Sequence, residues 1–204
     1  TAKAGLILVN INPAYRLGEL EYALNKVGCK ALVAAPSFKS SDYTGMLQSL
    51  NVTKPTSKIP TLEHVILLDD TPPKGYLPFK SVLERTNLEY LDQLSQISAL
   101  LKPEDPINIQ FTSGTTGFPK GATLTHHNIV NNGFFVAERQ NFTEQDRLCI
   151  PVPLYHCFGM VMGVLGCVTH GSCMILPADA FDPASVLEAV ETEKCTALYG
   201  VPTM

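Results

Sequence analysis

Eleven consecutive residues, Phe111-Thr112-Ser113-Gly114-Thr115-Thr116-Gly117-Phe118-Pro119-Lys120-Gly121, concentrate the groups that hold a polyphosphate. Gly114, Gly117 and Gly121 let the backbone bend tightly and turn several N–H groups toward one point, a concavity suited to anions. The hydroxyls of Thr112, Ser113, Thr115 and Thr116 add neutral donors, and Lys120 adds a mobile positive charge. On chemistry alone the segment is a cradle for a triphosphate or pyrophosphate. A plain polar connection is the competing reading, but a turn needs neither four hydroxyls nor a lysine. The G-x-x-x-x-G-K-[ST] phosphate loop is excluded, because Pro119 stands where its second glycine is required and Gly121 where its hydroxyl is. No G-x-G-x-x-G occurs, so a dinucleotide site has no support.

A second candidate is His156, in Pro153-Leu154-Tyr155-His156-Cys157-Phe158-Gly159. It reads either as a cap on a buried helix or as a group facing a substrate. Phe158, Gly159, Met160 and Gly163 read equally as core or as the wall of an apolar pocket, since glycines leave room and methionine adapts its shape. His126 and His127 stand where a helix should begin and read as surface or capping residues. No Ser/His/Asp or Cys/His arrangement emerges. The six cysteines form no C-x-x-C pair and fit no zinc template, so they read as reduced, small apolar residues of an intracellular compartment.

The elements that must position these groups alternate. Leu6–Val9 is expected as a buried strand, Glu19–Val27 as a helix with Leu20, Ala23, Leu24 and Val27 on one face, and Ala31–Ala34 as a strand. A helical face at Tyr43, Met46, Leu47 and Leu50 and a strand at His64–Leu68 follow. This order implies parallel pairing with right-handed crossovers. Thr71–Pro78 reads as a surface loop, Leu88–Leu101 as a helix, and Lys102–Pro106 as a polar break. The alternation then resumes. A strand at Ile107–Phe111 leads into the glycine loop, and a helix from about Thr125 to Arg139 is expected directly behind it, the order in which α/β folds place phosphates. After that come a strand at Leu148–Val152, a buried helix at Cys157–Val168, a strand at Cys173–Leu176, a helix capped by Asp182 with Pro183 first, and a strand at Thr196–Val201. The fold class is α/β, with layered, mostly parallel sheets and helices on both faces. It divides into a first portion, 1–101, and a second, 107–204, that carries the loop.

With 204 residues and 45% hydrophobic content the chain can bury a real core. Its 17% charged residues and net charge of −4, with lysines and arginines scattered singly, argue against nucleic acid as a partner. Leu148–Ala178 runs 31 residues without a charge. Prolines, histidines and glycines interrupt it, so a buried helix is expected rather than a transmembrane segment. Oligomeric state is not legible.

Thr112 to Gly121 resembles the signature phosphate loop of the adenylate-forming superfamily, which includes acyl-CoA synthetases, luciferases and peptide-synthetase adenylation domains. Pro153–Gly159 is similar to that superfamily's P-L-[FY]-H segment, and Val9-Asn10-Ile11-Asn12-Pro13 to its earlier V-x-x-N-P stretch. Tyr15-Arg16, Val27–Lys30 and Leu198–Met204 most resemble the mitochondrial medium-chain acyl-CoA ligases. The resemblance spans essentially the whole chain and implies part of the large N-terminal domain of an adenylate-forming enzyme. It also implies a two-step reaction: a fatty carboxylate attacks the α-phosphorus of ATP, and the thiol of coenzyme A then displaces AMP. By the same resemblance Thr112, Ser113, Gly114, Thr115, Thr116, Gly117, Phe118, Pro119 and Lys120 wrap the β- and γ-phosphates. Lys120 is the leaving-group cation, Thr112 also touches Mg²⁺, and His156 faces the carboxylate or acyl chain. A mitochondrial matrix location is implied too. The superfamily's adenine, ribose and hinge segments are expected beyond Met204, so these 204 residues alone are expected to form no acyl-adenylate. Two alternatives stay open: another adenylate-forming enzyme (luciferase-like or peptide-synthetase), or a non-catalytic nucleotide-binding fragment.

Overall fold

The computed structural model describes residues 1–112 and 119–204. The chain divides into two compact units, one of residues 1–101 and 111–121, the other of residues 102–110 and 122–204.

The first unit carries β1 (Leu8–Asn10), α1 (Leu17–Lys26), β2 (Ala31–Ala34), the short strands β3 (Ser37–Phe38) and β4 (Ser41–Asp42), and α2 (Tyr43–Ser49). After these come β5 (His64–Leu67), β6 (Leu77–Pro78), α3 (Phe79–Leu83) and α4 (Leu88–Leu100). The Arg16 amide donates to Glu19 Oε2 at 2.9 Å, which fixes the start of α1, and Gly28 turns left-handed (φ 60°) where α1 must stop. Leu20, Ala23 and Leu24 form the buried stripe that periodicity requires. They close on Leu47 and Leu50 from α2 and its end, on Ile59, and on Val65 and Leu67 of β5. Each fully buried leucine contributes roughly 1.5–3 kcal/mol relative to exposure. Strand β2 pairs parallel with β5 (Ala31 with His64 through Ala34 with Leu67), and β5 pairs parallel with β6.

Two expectations need correction here. The first strand is Leu8–Asn10 and lies outside the β2-β5-β6 sheet. Leu6, Ile7 and Leu8 are exposed (58, 44 and 40%), not buried. An apolar run carries no record of which faces are covered. Second, the Thr71–Pro78 loop ends in strand β6, since Pro78 has no N–H to lose at the end of an edge strand. Helix α4 forms where expected, capped by Asn87 Oδ1 accepting from the Tyr90 amide at 2.9 Å, and buries none of its residues.

The second unit begins in β7 (Pro106–Thr112), whose neighbour in the sheet is β8 (Lys120–Thr125). The chain passes between the units within each of these strands. There follow α5 (His126–Arg139), β9 (Arg147–Cys149), a π-helix (Phe158–Leu165), α6 (Gly166–His170), β10 (Cys173–Ile175), α7 (Pro183–Thr192) and β11 (Ala197–Leu198). Strand β9 lies between β10 and β11 and pairs parallel with both. At its start, Asp146 accepts from Thr143 and Thr196, and Arg147 Nη2 meets Glu193 Oε2 at 2.6 Å. These bonds hold Asp146 below the usual carboxylate range, the Thr196 hydroxyl contributing most. Asp182 caps α7 through its bond from the Ser185 amide (2.8 Å), with Pro183 at the first position as expected.

The uncharged run ends up as a turn, the π-helix and α6 rather than one α-helix. Its burial is one-sided: Gly159, Val161, Gly163 and Cys167 are buried, whereas Val168 is 62% exposed. Among the described residues no helix is long and apolar enough to cross a membrane.

All six cysteines are free. Burial, with the Cys195 thiol adding to it, pushes Cys149 up to about 11, and burial with Cys173 nearby does the same for Cys167. Both therefore stay protonated at neutral pH. An alkylating reagent is expected to label exposed Cys157 and Cys173 first and to spare Cys149 and Cys167, which peptide mass mapping reads directly. The stability these two thiols lend is complete below their ordinary value of 9.0 and is lost as pH rises through about 11.

Candidate functional site

The glycine loop is slung between two strands. Thr112 is the last residue of β7 and Lys120 the first of β8, and the Thr112 hydroxyl donates to the Lys120 carbonyl at 3.5 Å, a long bond across the neck. Both side chains are exposed, with Pro119 half-buried beside them. Lys120 makes no ion pair among the described residues, so its charge is available to an anion. Phe111 anchors the neck from behind through an edge-on contact with Tyr15 at 6.5 Å. Ser113, Gly114, Thr115, Thr116, Gly117 and Phe118 lie outside the described residues.

The expected strand–loop–helix order is overturned. Strand β8 intervenes, and α5 starts six residues after Lys120. The start of α5 is spent on its own closure. Thr125 Oγ1 accepts from the Asn128 amide (3.1 Å), Asn128 Oδ1 accepts from the Thr125 amide (3.2 Å), and the amides of His126 and His127 donate to the carbonyls of Asp105 and Pro103. The first amides of α5 are therefore engaged within the second unit, and the helix does not follow the loop directly. The sequence missed this because Lys120–Thr125 mixes small and polar residues and carries no apolar alternation.

His156 caps the π-helix with one nitrogen. Its Nδ1 accepts from the Phe158 amide at 3.1 Å, and Cys157 Sγ lies 3.7 Å from the same atom. With that lone pair engaged, the neutral ring carries its proton on Nε2, and the residue is exposed. Capping thus engages Nδ1 and leaves Nε2 outside that bond. Lys120 belongs to the first unit and His156 to the second, and each is described within its own.

The glycines beyond His156 serve packing. A Cβ on Gly159 would run into the Pro153 carbonyl, and one on Gly163 would stand 3.0 Å from Ile150 Cδ1. Phe158 lies on the Tyr199 ring at 5.0 Å, and the Tyr199 hydroxyl donates to Gln140 Oε1 at 2.6 Å, next to the Met162 carbonyl. Sequence reasoning missed the buried polar side chains of β7, Asn108 and Gln110 (2 and 7% exposed), the second of which reaches Met160 Sδ at 3.7 Å. Two amides alternating with Ile107 and Ile109 were the available signal.

The family model described as "AMP-binding enzyme" matches residues 1–204. The chain belongs to the AMP-binding enzyme family. Within it, the chain is 47% identical to "Medium-chain acyl-CoA ligase ACSF2, mitochondrial" of Danio rerio, all of this chain matching 35% of that protein. It is 43% identical to "Acyl-CoA ligase SID4" of Ajellomyces capsulatus, all of this chain matching 34% of it. The crystal structure of the anthranilate CoA ligase AuaEII in complex with anthranoyl-AMP superposes with a TM-score of 0.80 at 25% identity, over 97% of this chain and 35% of that one. The chain thus spans about a third of the length of the relatives it matches. The mixed α/β architecture with parallel sheets flanked by helices is that of the N-terminal domains of this family.

Proposed function

We propose that the protein is an AMP-forming acid–thiol ligase that activates a medium-chain fatty carboxylate with ATP and passes the acyl group to coenzyme A, in the mitochondrial matrix. Residues 1–101 and 107–204 are read as two successive α/β portions of its N-terminal domain. The observation that carries this reading is the loop from Thr112 to Lys120, four hydroxyls and a cation on a two-strand neck, in a chain that matches the AMP-binding family end to end.

In the first step a carboxylate oxygen attacks the α-phosphorus of ATP, the bond to the bridging oxygen breaks, and pyrophosphate leaves with the electron pair. The protein's task is to hold several negative charges as they develop. Ser113 to Pro119 are assigned to the β- and γ-phosphates, and Lys120 neutralises the leaving group. Mg²⁺ keeps most of its waters and needs one or two protein oxygens besides the phosphates. The exposed Thr112 hydroxyl, held among the described residues by one 3.5 Å bond, suits that place. Bound there, the ion would supply charge neutralisation.

His156 is assigned to the carboxylate as a hydrogen-bond donor through Nε2. It is not assigned as a base, because its other nitrogen accepts from Phe158. His156→Ala is expected to raise KM for the carboxylate about 10-fold, the worth of one bond to a charged group. His156→Gln places an amide donor near Nε2 and should recover most of that loss. A glutamine variant as impaired as the alanine one removes the donor role. The overall reading is tested by acyl-CoA formation across a series of fatty acids, for which kcat/KM should peak at medium chain length. A flat or absent response overturns the substrate assignment.

A further inference from the structure

Ile11, Asn12, Pro13, Tyr15 and Leu20, none of them assigned above to the phosphates or the carboxylate, border with β2 and α2 a half-open cavity of about 160 Å³ within the first unit. Leu20, Leu32 and Leu47 give it an apolar wall continuous with the core. A space of about this size accepts a benzene-sized guest. Three residues add polar atoms, and their bonds decide what the guest should carry. The Tyr43 hydroxyl is spent on the Pro13 carbonyl (2.8 Å), and Asn12 Oδ1 accepts from the Ala14 amide (2.9 Å). The Asn12 NH₂ and the Tyr15 hydroxyl are left to face a guest. Burial, with Glu19 adding to it, raises the Tyr15 phenol, so it remains a neutral donor. The cavity sits at the carboxyl end of parallel strand β2, where α/β sheets open their ligand crevices.

We propose that this cavity is a binding site for a one-ring aromatic molecule bearing a hydroxyl or carbonyl oxygen. The ring fills the leucine-lined space, and the oxygen meets Asn12 and Tyr15. Tyr15 also touches Phe111, the residue before Thr112, so an occupant registers at the root of the phosphate loop.

The test is titration of phenol into the ¹⁵N-labelled protein, followed at the amides of Leu32, Val33, Ala34 and Phe111, with benzene as the comparison. Saturable shifts at these amides are expected, with phenol binding several-fold more tightly than benzene. Tyr15→Phe should cut that preference to within about two-fold while leaving benzene binding intact, the loss of one neutral hydrogen bond. Ala34→Leu or Ala35→Leu fills the space and should weaken both guests about 10-fold or more, with two filling variants so that one that misfolds does not end the test. The absence of saturable shifts in the parent protein overturns the proposal, as do shifts that persist unchanged in a folded filling variant.

Discussion

In the full-length protein, Lys120→Ala is expected to lower the rate of carboxylate-dependent pyrophosphate release by about 100-fold or more and to leave the unfolding midpoint where it was. The two halves of that expectation have separate origins. Lys120 is exposed at the first position of β8 and makes no ion pair among the described residues, so truncation removes neither packing nor a structural charge pair. The proposed activation step, by contrast, would create a polyanionic leaving group beside it. A cation held there stabilises the transition state more than the ground state, and the loss should fall on kcat. Lys120→Arg keeps the charge but exchanges a mobile point donor for a rigid fork, and should recover part of the rate. Stopped-flow pyrophosphate detection beside a urea melt separates the two halves. Unchanged pyrophosphate release would remove Lys120 from the chemistry.

Gly159→Ala is expected to be the most damaging single methyl in the second unit. A Cβ there would meet backbone on every side. Besides the Pro153 carbonyl oxygen, it would lie 2.8 Å from the Pro153 carbonyl carbon and 3.0 Å from the Val152 oxygen. No rotamer can relieve this, because the colliding atoms are main chain, and overpacking of this kind costs about 3 kcal/mol. The Pro153 carbonyl also accepts the His156 amide, so displacing it should tilt the imidazole and raise KM for the carboxylate together with the loss of stability. Two glycines calibrate the claim. Gly163→Ala meets only the side chain of Ile150 and should cost less, and Gly18→Ala, with open space around it in α1, should stabilise by about 0.5–1 kcal/mol. Urea midpoints rank the three. A Gly159→Ala protein as stable as the parent contradicts the close approach.

The ranking shows what sequence conveys and what it does not. Leu20, Ala23 and Leu24 announce their face through spacing alone, and Asp182-Pro183 announces a helix start, because both signals are local. The glycines, hydroxyls and lysine of Thr112–Lys120 are equally local, and the chemistry proposed for them is read residue by residue from the sequence. The support beneath them is not. Strand β8 is hidden in Lys120–Thr125, whose residues become a strand by pairing with β7 rather than by their own preference. The π-helix is another tertiary product: Gly159 and Gly163 read equally as core or as pocket wall, and the close approach of Pro153 and Ile150 gives them a packing role. His156 lay between these cases. The Phe158 amide on Nδ1 meets its capping reading and leaves Nε2 for the proposed substrate contact.

The central claim is that the protein couples a carboxylate to ATP with release of pyrophosphate. Exchange of labelled pyrophosphate into ATP by the full-length protein that contains these 204 residues, measured with and without a medium-chain fatty acid, tests it most directly. The expected result is exchange that requires the acid and falls with Lys120→Ala. Exchange that proceeds equally without the acid, or no exchange with any carboxylate, contradicts it.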